Sequence, residues 1–327
     1  MTSTLTIGRR TLFAAAAGAV AAPAILSRAA FAETAESGKD AAMERTLQFP
    51  LGDVTVSVVR DGIRVSENPQ ETFGTNQTPE AVADLLQANF LPADRFANGF
   101  TPVLVKAGDD LVLFDTGLGE GARAMGGGRL RAGLAQLGHA PEDVTVVVLT
   151  HMHGDHIGGL MEGGKPAFPN ARYVTGEAEF DFWRDPARAG TPAEGGHKGV
   201  LEKVVPLAEK MTFVGDGGTV VPGITALTAF GHSPGHMIYR IDSAGKSLLL
   251  TADTANHYVL SLQRPDWEVR FDMDKQAAAA TRKKVFDMIA TDRLPFIGYH
   301  MPFPSVGFAE KAGEGYRFVP ASYQFEI

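Results

Sequence analysis

The stretch that most constrains this chain runs from Val144 to Gly159. Val144-Thr145-Val146-Val147-Val148-Leu149 is an apolar, β-branched run, the pattern of a strand buried on both faces of a sheet. Thr150-His151-Met152-His153-Gly154-Asp155-His156 follows at once, so three imidazoles and a carboxylate leave the end of that strand together. Loops at the carboxyl ends of strands are where open α/β sheets place their sites. Imidazole and carboxylate ligands suit borderline and first-row divalent metals. Residue types and spacing therefore predict a metal site on the loop after a central strand.

Other segments carry similar chemistry. Val103 to Lys106 and Leu111 to Phe114 flank Ala107-Gly108-Asp109-Asp110 and read as a hairpin ending in Asp115-Thr116-Gly117. Gly231-His232-Ser233-Pro234-Gly235-His236 is a second histidine-bearing loop. Lys246 to Thr254 reads as an apolar strand delivering Asp253 at its C-terminal end, and Leu294 to Tyr299 as a short strand ending in His300. Thr78-Pro79-Glu80 starts a helix, with Thr as N-cap and Pro at the first helical position. Asp272 to Asp292 reads as the last long helix, with Ala278, Thr281, Val285 and Met288 at helical spacing. The glycine-rich residues 119–128 lack the Lys-Ser/Thr of a phosphate-binding loop and are expected to form a mobile surface loop. Residues 185–199 are expected to form a loop bordering a pocket, with His197 at the surface.

His151-x-His153-x-Asp155-His156 resembles the H-x-H-x-D-H signature of the metallo-β-lactamase superfamily, and Gly231 to His236 resembles its G-H-[ST]-P-G-H segment. The resemblance extends over residues 46–327. It implies an α/β (α+β) fold, the αβ/βα sandwich of two mixed β-sheets flanked by helices. It also implies two zinc ions, or other divalent metals in their place. His151, His153 and His232 would bind one, Asp155, His156 and His300 the other, with Asp253 between them. Asp155 and Asp253 are the expected catalytic carboxylates, and Asp115 is expected to orient a ligand imidazole. His236 is expected to support the site without binding metal, since a neutral imidazole is satisfied by one hydrogen bond at each nitrogen. His257, Tyr258 and Phe303 are expected to line the substrate pocket.

The N-terminus predicts a compartment. Gly8-Arg9-Arg10-Thr11-Leu12-Phe13 precedes an Ala-rich apolar stretch broken by Pro23, then Ala30-Phe31-Ala32. This resembles a twin-arginine signal peptide over residues 1–32, followed by a small, polar linker over 33–45. The expectation is a periplasmic or secreted protein with no stable membrane insertion after cleavage. Absence of cysteine excludes disulfides, thiolate nucleophiles and Cys-ligated metals. Removing residues 1–32 takes away Arg9, Arg10 and Arg28 and no acid, so the net charge moves from −8 to −11. An acidic surface argues against nucleic acid as a partner and favours a small-molecule substrate. A homodimer is a family expectation.

Two such cations can share a hydroxide that attacks a carbonyl or phosphoryl centre. Within the superfamily the export signal, the G-H-S-P-G-H segment and the Gly315 to Pro320 tail are most similar to the methyl parathion hydrolase and lactonase branch. That implies hydrolysis of lactones or aryl esters, with phosphotriesters as further substrates. One departure stands out: acyl-homoserine lactonases carry Tyr three residues after the bridging Asp, where this chain has Asn256. The alternatives are a β-lactamase, a glyoxalase-like thioesterase, or, in another class, a diiron redox protein or non-catalytic metal binder. Cysteine-dependent β-lactamases are excluded by composition, and diiron relatives usually carry an acid where His153 stands.

Overall fold

The computed structural model describes residues 46–322. The expected signal peptide, the linker and the last residues of the expected catalytic domain lie outside those described. In the first half of the chain the strands are β1 (Thr46–Leu51), β2 (Val54–Val59), β3 (Gly62–Glu67), β4 (Arg95–Phe100), β5 (Val103–Ala107), β6 (Asp110–Phe114), β7 (Val146–Val148), β8 (Met161–Glu162), β9 (Lys165–Pro166), β10 (Arg172–Gly176) and β11 (Met211–Val214). The second half adds β12 (Thr219–Val221), β13 (Ile224–Thr228), β14 (Met237–Ser243), β15 (Lys246–Ala252), β16 (Phe296–Gly298), β17 (Val306–Ala312) and β18 (Gly315–Pro320).

Two seven-stranded sheets result. One has the order β1-β2-β5-β6-β7-β10-β11; the other runs β12 to β18 in sequence. Both are mixed: β6, β7, β10 and β11 are parallel in the first, and β15 and β16 are parallel in an otherwise antiparallel second. The expected αβ/βα sandwich is therefore present.

Strand periodicity explains the layering. Val103, Val105, Val112, Phe114, Val146 and Val148 face inward, meeting Tyr239, Ile241, Leu248 and Leu250 of the second sheet in one core. Their neighbours Leu104, Leu113 and Val147 face the other way, against Leu130 and Leu134 of the helix Leu130–Gln136 and against Phe180 and Val200. Ile238, Leu249 and Phe296 likewise leave the second sheet to meet Val285, Phe286 and Ile289 of the helix Lys275–Asp292. Each sheet is thus covered on both faces, which is why β7 reads as an unbroken apolar run and not as an alternation. Among the described residues no helix is long and apolar enough to cross a membrane.

Several local expectations need correction. The long helix starts at Lys275, because Asp274 and not Asp272 caps it, accepting from the Ala277 backbone N–H at 2.9 Å. Residues 185–199 are not an open loop: they include the short 3-10 turn Pro186–Arg188 and the start of the helix Glu194–Lys203. His197 lies within that helix and is buried, its Nδ1 2.7 Å from the Trp183 carbonyl, so it is not a surface residue. The glycine-rich segment 119–128 holds the 3-10 helix Glu120–Met125, fastened by a bidentate pair from Arg123 to Glu162. The ribbon β3–β4, a separate two-stranded sheet, was not expected at all.

Candidate metal centre

The site forms where strand ends of the two sheets meet. β6 delivers Asp115, its parallel neighbour β7 delivers Thr150 to His156, β15 delivers Asp253, and β16 leads to His300. Asp115 adopts a left-handed backbone (φ 59°) that turns its carboxylate toward the loop after β7. There it accepts from the Thr150 backbone N–H at 2.9 Å, the Thr150 hydroxyl at 2.8 Å and His156 Nδ1 at 2.8 Å.

Two groups of donor atoms converge. His151 Nε2 and His232 Nε2 lie 3.0 and 2.9 Å from His153 Nδ1. In the second group His156 Nε2 is 3.6 Å and His300 Nε2 3.5 Å from Asp155 Oδ2. Asp253 stands between them, 3.3 Å from His232 Nε2, 3.2 Å from His156 Nε2 and 3.2 Å from His300 Nε2. The seven side chains read from the sequence as ligands are therefore brought together in space.

The far nitrogens decide what these atoms can do. His232 Nδ1 donates to Asp272 Oδ1 at 2.9 Å, His300 Nδ1 to the Gly99 carbonyl at 2.8 Å, and His156 Nδ1 to Asp115. With the proton fixed on Nδ1, each of these rings turns a lone pair toward the centre. His156 Nε2 and Asp253 Oδ1 are buried and, although 3.2 Å apart, make no well-directed hydrogen bond to each other or to any other described residue. Burial, with the facing His232 imidazole, pushes His153 down to about 3, and burial with the neighbouring imidazoles lowers His151 as well. His156 is different: burial opposes its protonation, but Asp253, Asp155 and Asp115 raise it well above the usual imidazole range. Converging lone pairs, orphaned buried atoms and excess negative charge all fit two divalent cations sharing Asp253.

His236 behaves as expected of a supporting residue. Its Nδ1 donates to the Ala229 carbonyl at 3.0 Å and its Nε2 accepts from the Asp253 backbone N–H at 3.1 Å, with burial pushing it down to about 3. Asn256 Nδ2 donates to Asp253 Oδ2 at 2.8 Å.

The centre sits at the floor of a cavity of about 660 Å³, walled by Phe96, Phe100, Leu118, Trp183 and Phe271, with Arg64, Asn98, Asn256 and Arg270 as polar lining. The three expected pocket residues do not line this cavity. His257, Tyr258 and Phe303 line a neighbouring apolar cavity of about 380 Å³ on the other side of the β3–β4 ribbon, which shares Phe96 and the ligand His300 with the first. His257 cannot turn back, since its Nδ1 accepts from the backbone N–H groups of Val259 and Leu260, both at 3.1 Å. Neither His257 nor Tyr258 is in the lining of the metal cavity.

Three supporting residues escaped sequence reasoning. Asp272 and Arg282 form a buried pair at 2.7 Å behind His232. Glu179 is a fully buried carboxylate on the helix Glu177–Arg184. The one available signal was the Glu179–Trp183 spacing of one helical turn.

Two facing mixed sheets, with histidines and aspartates gathered at their strand ends, define an αβ/βα protein with a candidate dinuclear metal centre. The Metallo-beta-lactamase superfamily model matches residues 101–290, and the chain belongs to that superfamily. An N-acyl homoserine lactonase of Bacillus cereus is 26% identical over 168 residues, covering 51% of this chain and 60% of that protein. The N-acyl homoserine lactonase AiiB of Agrobacterium fabrum is 31% identical over 138 residues, 36% of this chain and 45% of that one. The chain thus spans 60% or less of the length of these two curated relatives. Among solved structures, AidC, a dizinc quorum-quenching lactonase in complex with a product, superposes with a TM-score of 0.78 at 26% identity, covering 86% of this chain and 98% of that one. Hydrolase AbOPH superposes with a TM-score of 0.77 at 26% identity, covering 86% and 99%.

Proposed function

We propose that this protein is a dinuclear zinc hydrolase acting on lactones, with aryl esters and phosphotriesters as further substrates. The observation that carries the reading is the pair of ligand groups joined by Asp253 at the floor of a largely apolar cavity. Two zinc ions held there would supply a nucleophile from water near neutral pH and polarise the oxygen of a carbonyl or phosphoryl group.

The chain's own residues divide the remaining work. Phe96, Phe100, Trp183 and Phe271 bind the apolar part of a substrate and exclude water from the reacting centre. Asp155 has the most exposed carboxylate of the ligand set, its side chain 24% accessible. With Oδ2 turned to His156 and His300, its other oxygen would take a proton from the attacking water as the new C–O bond forms and return it to the departing alkoxide. Tyr299 holds that loop still, its hydroxyl donating to the Asp155 carbonyl at 2.6 Å. Asn256 fixes the rotamer of Asp253 through Oδ2. The lactonases among the relatives favour lactones as the main class. Because no tyrosine lines the cavity among the described residues, aryl esters, whose leaving group needs less help, should be turned over as readily.

The twin-arginine pattern supports export of the folded, metal-loaded chain to the periplasm or medium. The test is metal content of the purified protein beside initial rates on a lactone, an aryl ester, a phosphotriester and a β-lactam. About two zinc per chain with a lactone or ester preference supports the proposal. Iron with no hydrolysis of any of the four sinks it.

A further inference from the structure

Glu179 makes no hydrogen bond to a ligand ring among the described residues, yet it reaches both loops that carry the three-histidine group. Its Oε1 accepts from the Met152 backbone N–H at 2.9 Å, between His151 and His153. Its Oε2 accepts from the Ser233 hydroxyl at 2.7 Å and the Gly235 backbone N–H at 2.8 Å, just after His232. Oε1 also accepts from Trp183 Nε1 at 2.7 Å, and the Trp183 ring stands edge-on to His153 at 5.8 Å between centroids. One buried carboxylate therefore satisfies four donors: three lie on the loops that carry this group, and the fourth is the Trp183 ring beside His153. None of these bonds goes to Asp155, His156 or His300.

The close fit is written into the backbone. A Cβ at Gly235 would collide with the backbone nitrogen and Cα of Glu179, so the loop can approach this helix only as glycine. That gives Gly235 a reason in this chain: it lets the His232 loop lie directly on the residue that also holds the His151–His153 loop.

We infer that Glu179 is a positioning residue that sets the spacing of His151, His153 and His232, and with it the metal affinity of that group alone. The inference rests on the dinuclear reading above. A carboxylate is needed because all four partners donate; the amide of Glu179→Gln would turn an N–H toward at least one donor. The backbone N–H of Gly235 or Met152 cannot reverse its role, so the loop it belongs to must move away. Loss of such an outer partner typically weakens metal binding about 10–100-fold.

The experiment is zinc competition with a chromophoric chelator, with circular dichroism to verify folding. It is made on wild-type protein, E179Q, S233A, H300A and the pairs E179Q/H300A and S233A/H300A. H300A removes a ligand of the other group, so its tighter remaining equivalent reports the three-histidine group. Expected is a wild type with two equivalents and an E179Q that keeps one near wild-type affinity while the other weakens about 10–100-fold. The weakening must reappear in E179Q/H300A. S233A, which removes one donor and leaves the helix untouched, should show a smaller loss confined to the same equivalent. Should E179Q not fold, S233A and S233A/H300A decide alone. Equal weakening of both equivalents, or of neither, overturns the inference. A wild type that binds fewer than two equivalents sinks the dinuclear reading instead.

Discussion

Replacing Asp272 by Asn tests how one histidine is aimed. Asp272 Oδ1 accepts from His232 Nδ1 at 2.9 Å and Oδ2 from Arg282 Nη2 at 2.7 Å, and all three residues are buried. Burial pushes the Asp272 carboxyl up, but His232 and Arg282 outweigh it and hold it below its ordinary value. An amide keeps only one acceptor. If its oxygen faces His232, its N–H₂ meets the Arg282 guanidinium, donor against donor; the opposite flip orphans His232 instead. Arg282 keeps the Thr254 and Pro265 carbonyls, both at 2.9 Å, which softens the loss without supplying a counter-charge. Breaking a buried pair by removing one charge costs about 3–5 kcal/mol, and the retained carbonyls place D272N near the lower end, about 3 kcal/mol. At roughly 2–4 °C per kcal/mol for a domain of this size, melting should fall by about 6–12 °C. One zinc equivalent should weaken about 10–100-fold as the imidazole loses its partner. The control is D272N/R282M, which removes the orphaned cation and lets the new amide oxygen face His232. It should recover part of the zinc affinity, while melting stays below wild type because the Thr254 and Pro265 carbonyls lose their donor. Wild-type zinc affinity in D272N itself would refute the argument, since His232 would then owe its orientation to something other than Asp272.

Three further outcomes follow from the same geometry. His151→Ala should abolish hydrolysis while circular dichroism stays that of the folded protein; full activity in that variant would sink the dinuclear assignment. Asp115→Asn leaves one of the buried donors from Thr150 or His156 without an acceptor. It should cost about 1–3 kcal/mol in denaturant unfolding and weaken a zinc equivalent other than the one affected by D272N. Gly231→Ala places a Cβ against the backbone of Ala277 and Ala278 at a φ of 127°. A loss of about 2–3 kcal/mol is expected by thermal melting, and an unchanged melting temperature would show that the loop and the long helix can part without cost.

What could be read in the sequence was set by distance along the chain. His151, His153, Asp155 and His156 lie on one loop, and the apolar run before them leaves little choice about where that loop sits. His232, Asp253 and His300 each end a recognisable segment, so a resemblance could point to them although nothing in their spacing says that they meet. Asp272 and Glu179 were not readable in this way. Each looks like an ordinary acid at the start of a helix, where charge alone would account for it. Their partners are 40 residues away for His232 and Asp272, and 54 for Ser233 and Glu179, and only the packed sheets bring them together. The placement of His257, Tyr258 and Phe303 in the neighbouring cavity was hidden for a related reason. Proximity in sequence to Asp253 and His300 says nothing about which side of a wall a side chain takes. The β3–β4 ribbon is that wall: Arg64 and Asn98 face the metal cavity, while Ile63, Val65 and Ala97 face the apolar one.

The ribbon and the supporting acids also explain why the ligand set alone does not specify the protein. The ligand histidines are aimed from several parts of the fold. His156 uses Asp115 at the end of β6, and His151 the Thr150 hydroxyl that Asp115 also holds; His232 uses Asp272 before the long helix, and His300 the Gly99 carbonyl on β4. Loops that meet across two sheets could otherwise slide by more than an ångström, and a misplaced nitrogen no longer shares a cation. Gly99 adds a coupling, because it lies on the ribbon that walls the cavity and also fixes a ligand ring. The Phe100 ring on the same strand also stands edge-on to His300 at 5.5 Å, so a displacement of the ribbon should pull on that ligand. A bulky substitution on the outer, apolar face of the ribbon should then weaken one zinc equivalent in chelator competition, and unchanged zinc affinity would show that the ribbon moves independently of His300.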